Sequence, residues 1–433
     1  MRKLLTSIAC LVVVISSAQS PKWDLQQCLD YAISHNTSMQ RSEVQAEILA
    51  NNLRQSKMNR LPTVSGSASH NYNIGYSIDP FTNTFTPQSI QSNTFSINFG
   101  VTLFSANRIT NGIKSMELQH ESGTLAVEIA KNQTSWSVVF AFLNIVVAER
   151  NLEIMEAQEV LSKEQLELAE KRVAAGADNK SAVFGLKSQL ASDQLQVVQA
   201  QNQVQNAYLN MINLLQLDNE TEFEIELPNI ANLPEMPTES LVEIYESALG
   251  LMPELKQADV NMRSAYLDYK IRRSALYPTL SAYGNMNTIY SESGGEYVSD
   301  GFELVTIGYL PSSQEEVVSL LPINNYKSKS YSDQLKDNIG QSLGLSVSIP
   351  VFNNYRTATD AQNAKLNMKI GELNALEVKN QLRADITTAY TNLLAGKSSY
   401  DAAVLNLEAQ ELNYEFAKQR FDAGLLNSTD LLM

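Results

Sequence analysis

The amino-acid sequence predicts a mainly α-helical protein with membrane β-strands. We expect long antiparallel coiled-coil helical hairpins, and β-hairpins that contribute four strands per chain to a shared, trimeric 12-stranded barrel. Three observations predict this fold class: an internal duplication, a strictly alternating strand in each copy, and apolar stripes that repeat about every 3.5 residues.

Composition narrows the classes of function. The chain has 433 residues, 44 % of them hydrophobic, a formal net charge of -15 and a pI of about 4.8. This acidic balance argues against nucleic acid as a partner. The three histidines fall in different predicted elements, and no phosphate loop or nucleophile elbow occurs. We therefore expect no enzyme, no metal centre and no cofactor.

The first 18 residues predict a secretion signal peptide. The pair Arg2–Lys3 is basic, the run Leu4–Ile15 is apolar, and Ala18 completes a small-residue cleavage site. Lipidation at Cys10 is the alternative, and it is disfavoured because the apolar run continues past that residue. No later stretch reaches the ~18 consecutive apolar residues of a membrane helix.

The chain contains two copies of one unit. Leu103–Arg108 recurs as Val351–Arg356 at an offset of 248, and Leu61–Thr63 recurs as Tyr277–Thr279 at an offset of 216. A constant offset over a long stretch indicates a duplication. The change in offset places an insertion of 32 residues in the second copy, expected as a long loop within residues 291–338.

This duplication sets the predicted domains. A first structural repeat covers residues 19–216, with one helix, one β-hairpin and one long helical hairpin. Residues 217–240 form a linker or a non-helical packing segment, because Pro228, Pro234 and Pro237 stand there among acidic residues. The second repeat covers residues 241–433.

Each repeat opens with a helix and continues into strands. In the first copy the helix runs from about Leu25 to Arg60 and ends before Pro62. A strand with apolar or small residues at every second position starts at Val64. A loop rich in Ser, Thr, Asn and Pro then leads to the next strand.

That next strand is the clearest signal in the sequence. Apolar residues alternate with small polar ones over ~9 residues, which matches a tilted membrane-crossing strand. A sandwich strand with one buried face would show the same alternation. The residues predicted to face lipid in the two copies are Phe95, Ile97, Phe99, Val101, Leu343, Leu345, Val347 and Ile349.

A very long helix follows this strand directly. It is expected from about Ser105 to Val173, and at 1.5 Å per residue it would span ~100 Å. Gly176 ends it, and a return helix with the same 3.5-residue stripe runs to about Leu214. The pair predicts a coiled-coil hairpin. Four strands cannot close a barrel and open edges are not tolerated in lipid, so three chains are expected to share one.

The chain resembles the TolC family of outer-membrane efflux proteins over nearly all of its mature length. The resemblance rests on the duplicated layout, on strand-to-helix junctions at Phe104 and Phe352, and on the turn motif Arg-x-x-x-Gly. The motif is present as Arg172–Gly176 and as Arg420–Gly424.

The resemblance implies a homotrimeric channel in the cell outer membrane, with a long periplasmic extension. Such a channel is a passive conduit from periplasm to exterior in a tripartite efflux or type I secretion system. Its implied partners are a periplasmic adaptor protein, an inner-membrane transporter and outer-membrane lipid. The implied adaptor contacts at the hairpin tips are Arg172, Gly176, Arg420, Gly424 and Leu425.

The resemblance also implies a pore constriction at Asp430. A second acidic position of some members would fall at Met433, which is not acidic. Structural roles alone would also account for the tip residues. Gly176 and Gly424 fit as C-cap glycines, and Asp430 fits as an acid near a helix N-terminus.

Two other functions stay open at this point: a periplasmic adaptor and a secreted coiled-coil scaffold protein. An adaptor has one helical hairpin rather than two, and neither alternative would need detergent in solution. The second turn also lies close to Met433, whereas the first is followed by a long return helix. We therefore expect the chain to be a fragment of a longer reading frame, truncated just past its second tip.

Overall fold

The structure, a computed structural model, describes residues 22–78, 83, 85–86, 89–176, 179–218, 223–228, 236–423 and 425. Within them the chain forms eight helices and eight strands. The helices are α1 (Leu25–His35), α2 (Thr37–Met58), α3 (Arg108–Ala174), α4 (Lys180–Leu215), α5 (Leu241–Leu251), α6 (Pro253–Ser274), α7 (Tyr331–Asp337) and α8 (Arg356–Asp422). The strands are β1 (Thr63–Asn73), β2 (Ser77–Ile78), β3 (Phe85–Thr86), β4 (Ile90–Phe104), β5 (Thr279–Ser291), β6 (Gly295–Tyr309), β7 (Glu316–Ser328) and β8 (Gly340–Ser348).

The two predicted repeats start with the same capping arrangement. The Asp24 side chain caps α1 by accepting a hydrogen bond from the Gln27 backbone N–H at 2.7 Å, and the Gln27 side-chain oxygen accepts one from the Asp24 backbone N–H at 3.1 Å. Ser240 and Glu243 form the equivalent capping box at α5. Such reciprocal bonds satisfy two backbone donors that a helix N-terminus leaves free.

The single helix predicted from Leu25 to Arg60 is wrong, because the chain breaks at Asn36. That residue is extended, with ψ 124°, and its side chain accepts a hydrogen bond from the Ser38 backbone N–H at 2.9 Å. Local bonds of this kind compete with a continuous helix. The second copy breaks equivalently at Met252, where the following Pro253 disfavours a helical conformation.

The chain divides into two compact units, and each takes segments from both predicted repeats. The helical unit contains the described residues of Met1–Ala50, Leu118–Met262 and Ile370–Met433. The strand unit contains the described residues of Asn51–Glu117 and Arg263–Lys369.

A four-stranded sheet is the centre of the strand unit. Its order is β1-β4-β5-β8, and every neighbouring pair is antiparallel. The chain thus supplies the four strands that the sequence predicts. At one end of the sheet the strands connect to α2, α3, α6 and α8, and at the opposite end they connect to the hairpins β2–β3 and β6–β7 and to α7.

Residues 291–338, expected as a long loop, contain regular structure instead. They form the paired strands β6 and β7 and the short helix α7. These strands are hard to predict because two irregularities in the β6–β7 pairing interrupt the alternation that marks a strand in sequence.

The predicted strand in the second copy is also too long. β8 ends at Ser348, so Ile349 lies beyond the sheet although its side chain was expected to face lipid from a strand. Pro350 follows Ile349 directly and has no backbone N–H to donate, which explains why the strand pairing stops here.

The core of the helical unit joins α1, the middle of α3 and the end of α4. The buried side chains are Cys28, Ala32, Val138, Ala141, Phe142, Ile145, Val146, Ala148, Ala207, Met211, Leu215, Phe223 and Ile225. Phe223 and Ile225 belong to the predicted linker. Its described part, residues 223–228, therefore packs into the core, and Ile225 makes a parallel bridge with Trp23.

Candidate functional site

Seven of the eight residues predicted to face lipid share one face of the sheet. Four alternate along β4 and three along β8, and β5 lies between the two strands. The register connects them, because Phe99 is opposite Gly284, and Gly284 is opposite Leu343. Directly opposite residues of an antiparallel pair point to the same side. We call this side the apolar face.

Within the described residues, most of the apolar face is uncovered; α7 contacts it only near Phe95, where the Thr288 hydroxyl donates to the Leu335 carbonyl at 2.6 Å. Six of the seven residues are exposed, from 37 % at Phe95 to 80 % at Leu343, and Val101 is half-buried. A sandwich strand would bury this face against a second sheet. Its exposure argues against the sandwich alternative and leaves a membrane-sized apolar surface.

The opposite face, called the polar face, carries small polar and amide side chains. The hydroxyls of Ser67 and Ser96 are hydrogen-bonded at 2.7 Å, and the Asn285 amide donates to the Asn98 side-chain oxygen at 2.6 Å. Cross-strand pairs of this kind fix the register of neighbouring strands. The two faces thus differ sharply in polarity across one layer of backbone.

Glycines make room for aromatic rings on both faces. A Cβ atom added to Gly284 would overlap the ring of Phe99, and one added to Gly344 would lie 2.5 Å from the Tyr283 ring. Each ring therefore covers the backbone of the neighbouring strand. Glycine in a strand often marks such a close approach.

Sequence reasoning missed the contribution of β5 to the apolar face. Leu280, Ala282 and Met286 complete it between β4 and β8. The alternation in β5 was weak because Gly284 interrupts the apolar positions and Tyr283 places a large ring on the polar face. The signal that could have found them is the 216 offset, which aligns β5 with β1.

The first helical hairpin turns at Gly176, as the sequence predicts. Gly176 has φ +74°, and its backbone N–H donates to the Val173 carbonyl at 3.0 Å. A left-handed residue just past the helix end is common, and glycine adopts it without strain. Arg172 lies in the last turn of α3, where a cation favours the helix dipole. Asn179 caps the return helix α4.

The second tip is described only in part. Arg420 lies in the last turn of α8, and the Leu425 backbone N–H donates to the Arg420 carbonyl at 2.9 Å. The Leu425 side chain is 74 % exposed. Gly424 and Asp430 lie outside the described residues.

A buried polar pair interrupts the apolar stripe of the α3–α4 hairpin. Asp193 is 2 % exposed and Ser162 is 1 % exposed, and the Ser162 hydroxyl donates to the Asp193 carboxylate. The Gln189 side-chain amide donates to the same carboxylate at 2.9 Å. Ser162 lies on α3 and Asp193 on α4, so their hydrogen bond joins the two helices. A buried polar pair favours one register of two helices over others.

The core of the helical unit raises the pKa of two side chains, Cys28 and Tyr208. Burial raises the pKa of the Cys28 thiol to about 11, with a smaller contribution from the Asp24 carboxylate. Burial likewise raises the pKa of Tyr208, and its hydroxyl donates to the Glu149 carboxylate, which adds to the shift. Both groups are therefore kept neutral at physiological pH.

No set of three or more His, Cys, Asp or Glu side chains suited to a metal ion occurs among the described residues. Within the same part of the chain, no helix combines the length and apolar composition needed to cross a membrane.

Together, the membrane-length strands, the α3–α4 hairpin and the long helix α8 are the architecture of a channel protein. The chain belongs to the outer membrane efflux protein family, whose model matches residues 28–216 and 244–433. The predicted function as an outer-membrane channel of an efflux system, and the predicted outer-membrane location, are thereby confirmed. The role of this family is transport.

Solved structures of outer-membrane channels share the fold. The CmeC channel of Campylobacter jejuni is 19 % identical with a TM-score of 0.74, over 94 % of this chain and 78 % of its own. VceC of Vibrio cholerae is 16 % identical with a TM-score of 0.70, over 94 % and 88 %. The open MtrE channel of Neisseria gonorrhoeae is 16 % identical with a TM-score of 0.69, over 94 % and 81 %. No curated protein sequence matches the chain.

These comparisons confirm the predicted fold class and the resemblance to TolC-family channels.

Proposed function

We propose that three copies of this chain close one 12-stranded barrel and act as a passive conduit from periplasm to exterior. The observation that carries the proposal is the open four-stranded sheet with one apolar face. Its outermost strands, β1 and β8, each have one side without a strand partner in the described chain.

Closure by other copies follows from the cost of an open edge. Every unpaired backbone N–H or C=O group in the hydrocarbon region costs several kcal/mol, because no water is present to bond it. One chain cannot bring β1 and β8 together with only four strands. Pairing β8 of one copy with β1 of the next satisfies both edges, and three repetitions give a barrel wide enough for a lumen.

In this arrangement the apolar face contacts outer-membrane lipid and the polar face lines the lumen. The exposed Ile97, Leu343 and Leu345 side chains support the first assignment. The paired hydroxyl and amide groups of the polar face support the second.

A native mass measurement in detergent tests the assembly. We expect a trimer in the outer-membrane fraction, and a soluble monomer would overturn the proposal. Restoration of export in a strain that lacks its own channel then tests the conduit, with the trimeric state checked in the same sample.

The tips of the helical hairpins are the proposed binding site for partner proteins. We propose that the hairpin tips bind a periplasmic adaptor, which connects the channel to an inner-membrane transporter of an efflux or type I secretion system. The proposed contacts are Arg172, Gly176, Arg420, Gly424 and Leu425, with Asp430 as a pore-constricting residue. Leu425 is 74 % exposed, so its apolar side chain at the turn is accessible to a partner.

A matched pair of variants tests the tip. Leu425→Ser is expected to abolish export and leave the trimer intact. Leu412→Ser is the control, since Leu412 is also exposed at 51 % but lies within α8, 13 residues before the tip. Equal export by both variants would remove Leu425 from the proposed contact.

The predicted domain division also stays a proposal: a signal peptide at residues 1–18, repeats at 19–216 and 241–433, and a connecting segment at 217–240. The matching capping boxes and helix breaks support the repeats. Mass measurement of the exported protein tests the signal peptide, because cleavage after residue 18 is expected.

A further inference from the structure

The strands β6 and β7 form a long ribbon that has no equivalent in the first repeat. They pair only with each other, over 15 and 13 residues, whereas the first copy has the two-residue strands β2 and β3 at this place. The ribbon continues from one end of the sheet, and α2, α3, α6 and α8 connect to the opposite end.

The base of the ribbon is firmly held. Gln334 of α7 is 1 % exposed, and its side-chain oxygen accepts from the Ser291 backbone N–H at 3.1 Å. Its amide donates to the carbonyls of Gly294 at 3.0 Å and Lys329 at 3.1 Å. Lys329 in turn pairs with Glu296 at 2.8 Å. A fully bonded buried amide fixes where the ribbon starts and in which direction it projects.

The two faces of the ribbon are assigned by its register. Both irregularities place the extra residues in β6, so β7 alternates without interruption. Even-numbered residues of β7 therefore share one side with their partners in β6. We call this side the aromatic face; its large side chains are Tyr297, Phe302, Leu304, Tyr309, Val318, Leu320, Pro322 and Tyr326.

This face is apolar and uncovered. Tyr297 is 73 % exposed, Phe302 67 % and Leu320 61 %, and the rings of Tyr297 and Tyr326 contact each other edge to face at 5.4 Å. Along its length the only charge is Glu316, close to the turn. The other face carries the charged residues Glu296, Glu303 and Lys327 among shorter aliphatic and polar residues: Val298, Val305, Val317, Ser319, Leu321, Ile323 and Asn325.

A two-stranded ribbon with an uncovered apolar face needs a partner. Isolated hairpins are marginally stable in water, and stable ones pack an apolar face against another element. Interfaces between proteins are enriched in Tyr, Phe and similar large side chains, which matches this face.

Membrane lipid is not a suitable partner for the aromatic face. β5 spans 13 residues before the ribbon begins, and a membrane crossing needs only about 9–11 residues. The ribbon therefore starts where the bilayer ends. Its charges, apart from Lys327 and the clamped Lys329, are acidic, and they would repel the anionic headgroups of outer-membrane lipid.

We infer that the aromatic face of each ribbon packs against the aromatic faces of the other copies of this chain, above the outer mouth of the barrel. The inference rests on the proposed trimer. The ribbon rises between β5 and the edge strand β8, one strand away from the junction with the next copy, so the contact continues that interface. Like charges favour the aromatic face over the other, because it carries one acidic residue, Glu316 near the turn, whereas contact through the other face would bring both Glu296 and Glu303 together.

Single cysteines on adjacent residues test the inference. Leu320→Cys places a thiol on the aromatic face, and Ser319→Cys places one on the other face at the same height. Each variant is oxidised as the purified full-length trimer, and the covalent dimer is measured on a denaturing gel. The unmodified chain is the blank, because Cys28 is buried at 0 % exposure. Native mass is recorded for every sample.

We expect Leu320→Cys to give a covalent dimer and Ser319→Cys to give at least ten-fold less. A trimer in which neither variant links, or in which both link equally, overturns the inference and leaves the proposed channel intact. An unmodified chain that forms no trimer overturns the proposed function and this inference with it.

Discussion

A single charge at the centre of the apolar face should block assembly of the channel. Ile97 is the middle residue of β4, and its neighbours across the sheet are Gly66 and Met286. Neither neighbour can pair with a cation. Ile97→Arg therefore places an unpaired charge where the proposed function puts the middle of the bilayer.

The size of the effect follows from this position. Arginine on the lipid side of a barrel strand costs about 2–4 kcal/mol at the midplane and much less near the interfaces. The lost burial of isoleucine adds roughly 1.5–3 kcal/mol. Because three copies carry the change, the trimer loses on the order of 10 kcal/mol or more, comparable with the whole stability of a folded domain.

The matched control is Asn98→Arg, one residue further on the polar face. This change removes the hydrogen bond from Asn285, worth about 0.5–1.5 kcal/mol, and leaves the new charge in water. We expect Asn98→Arg to yield normal amounts of outer-membrane trimer and Ile97→Arg to yield almost none, measured by membrane fractionation and native mass. Equal amounts of trimer from the two variants would refute the assignment of the faces.

Four further changes test the helical unit and the ribbon base. Asp193→Ala leaves the Ser162 hydroxyl without its partner and should destabilise the α3–α4 hairpin by about 1–3 kcal/mol, measured by hydrogen exchange; adding Ser162→Ala should recover part of the loss. Tyr208→Phe should resist alkaline unfolding better than the unmodified chain. The pKa of Tyr208 is raised in the folded state, so above about pH 10 the unfolded chain loses this proton first and the free energy of unfolding falls. Thermal midpoints between pH 8 and 12 would show the difference. Gln334→Ala should speed hydrogen exchange in β6 and β7 while β4 stays protected, and unchanged exchange would rule out the clamp. Gly176→Ala should cost about 1–2 kcal/mol, because an L-residue is strained at φ +74°, and an unchanged melting temperature of the hairpin would contradict this.

Periodicity made most of the fold predictable. The strand around Phe99 and the long helix that follows it each bury or expose one side only, so their apolar residues recur with the period of the backbone. The predicted helix of about 69 residues is α3, with 67 residues. The turn at Gly176 was predictable because few residues other than glycine adopt its backbone conformation.

Elements without a clean period could not be predicted. In β6 the register shifts twice, between Ser299 and Phe302 and between Thr306 and Gly308, so no alternation survives in the sequence. The break at Asn36 depends on one side chain that also donates to the Leu214 carbonyl at 3.1 Å. A contact across 178 residues leaves no local signal.

The composition of the polar face indicates where the channel does not select its cargo. Within β1, β4, β5 and β8 that face presents serine, threonine, asparagine, glycine, Ile90, Ile289 and Tyr283, and no acidic or basic side chain. Selectivity in pores depends on rings of charge or on narrow constrictions. A wall of short uncharged side chains provides no ring of charge, so this part of the proposed lumen should pass anionic and cationic substrates alike. Discrimination must then arise elsewhere along the path, in the helical part or in the partners that deliver the substrate.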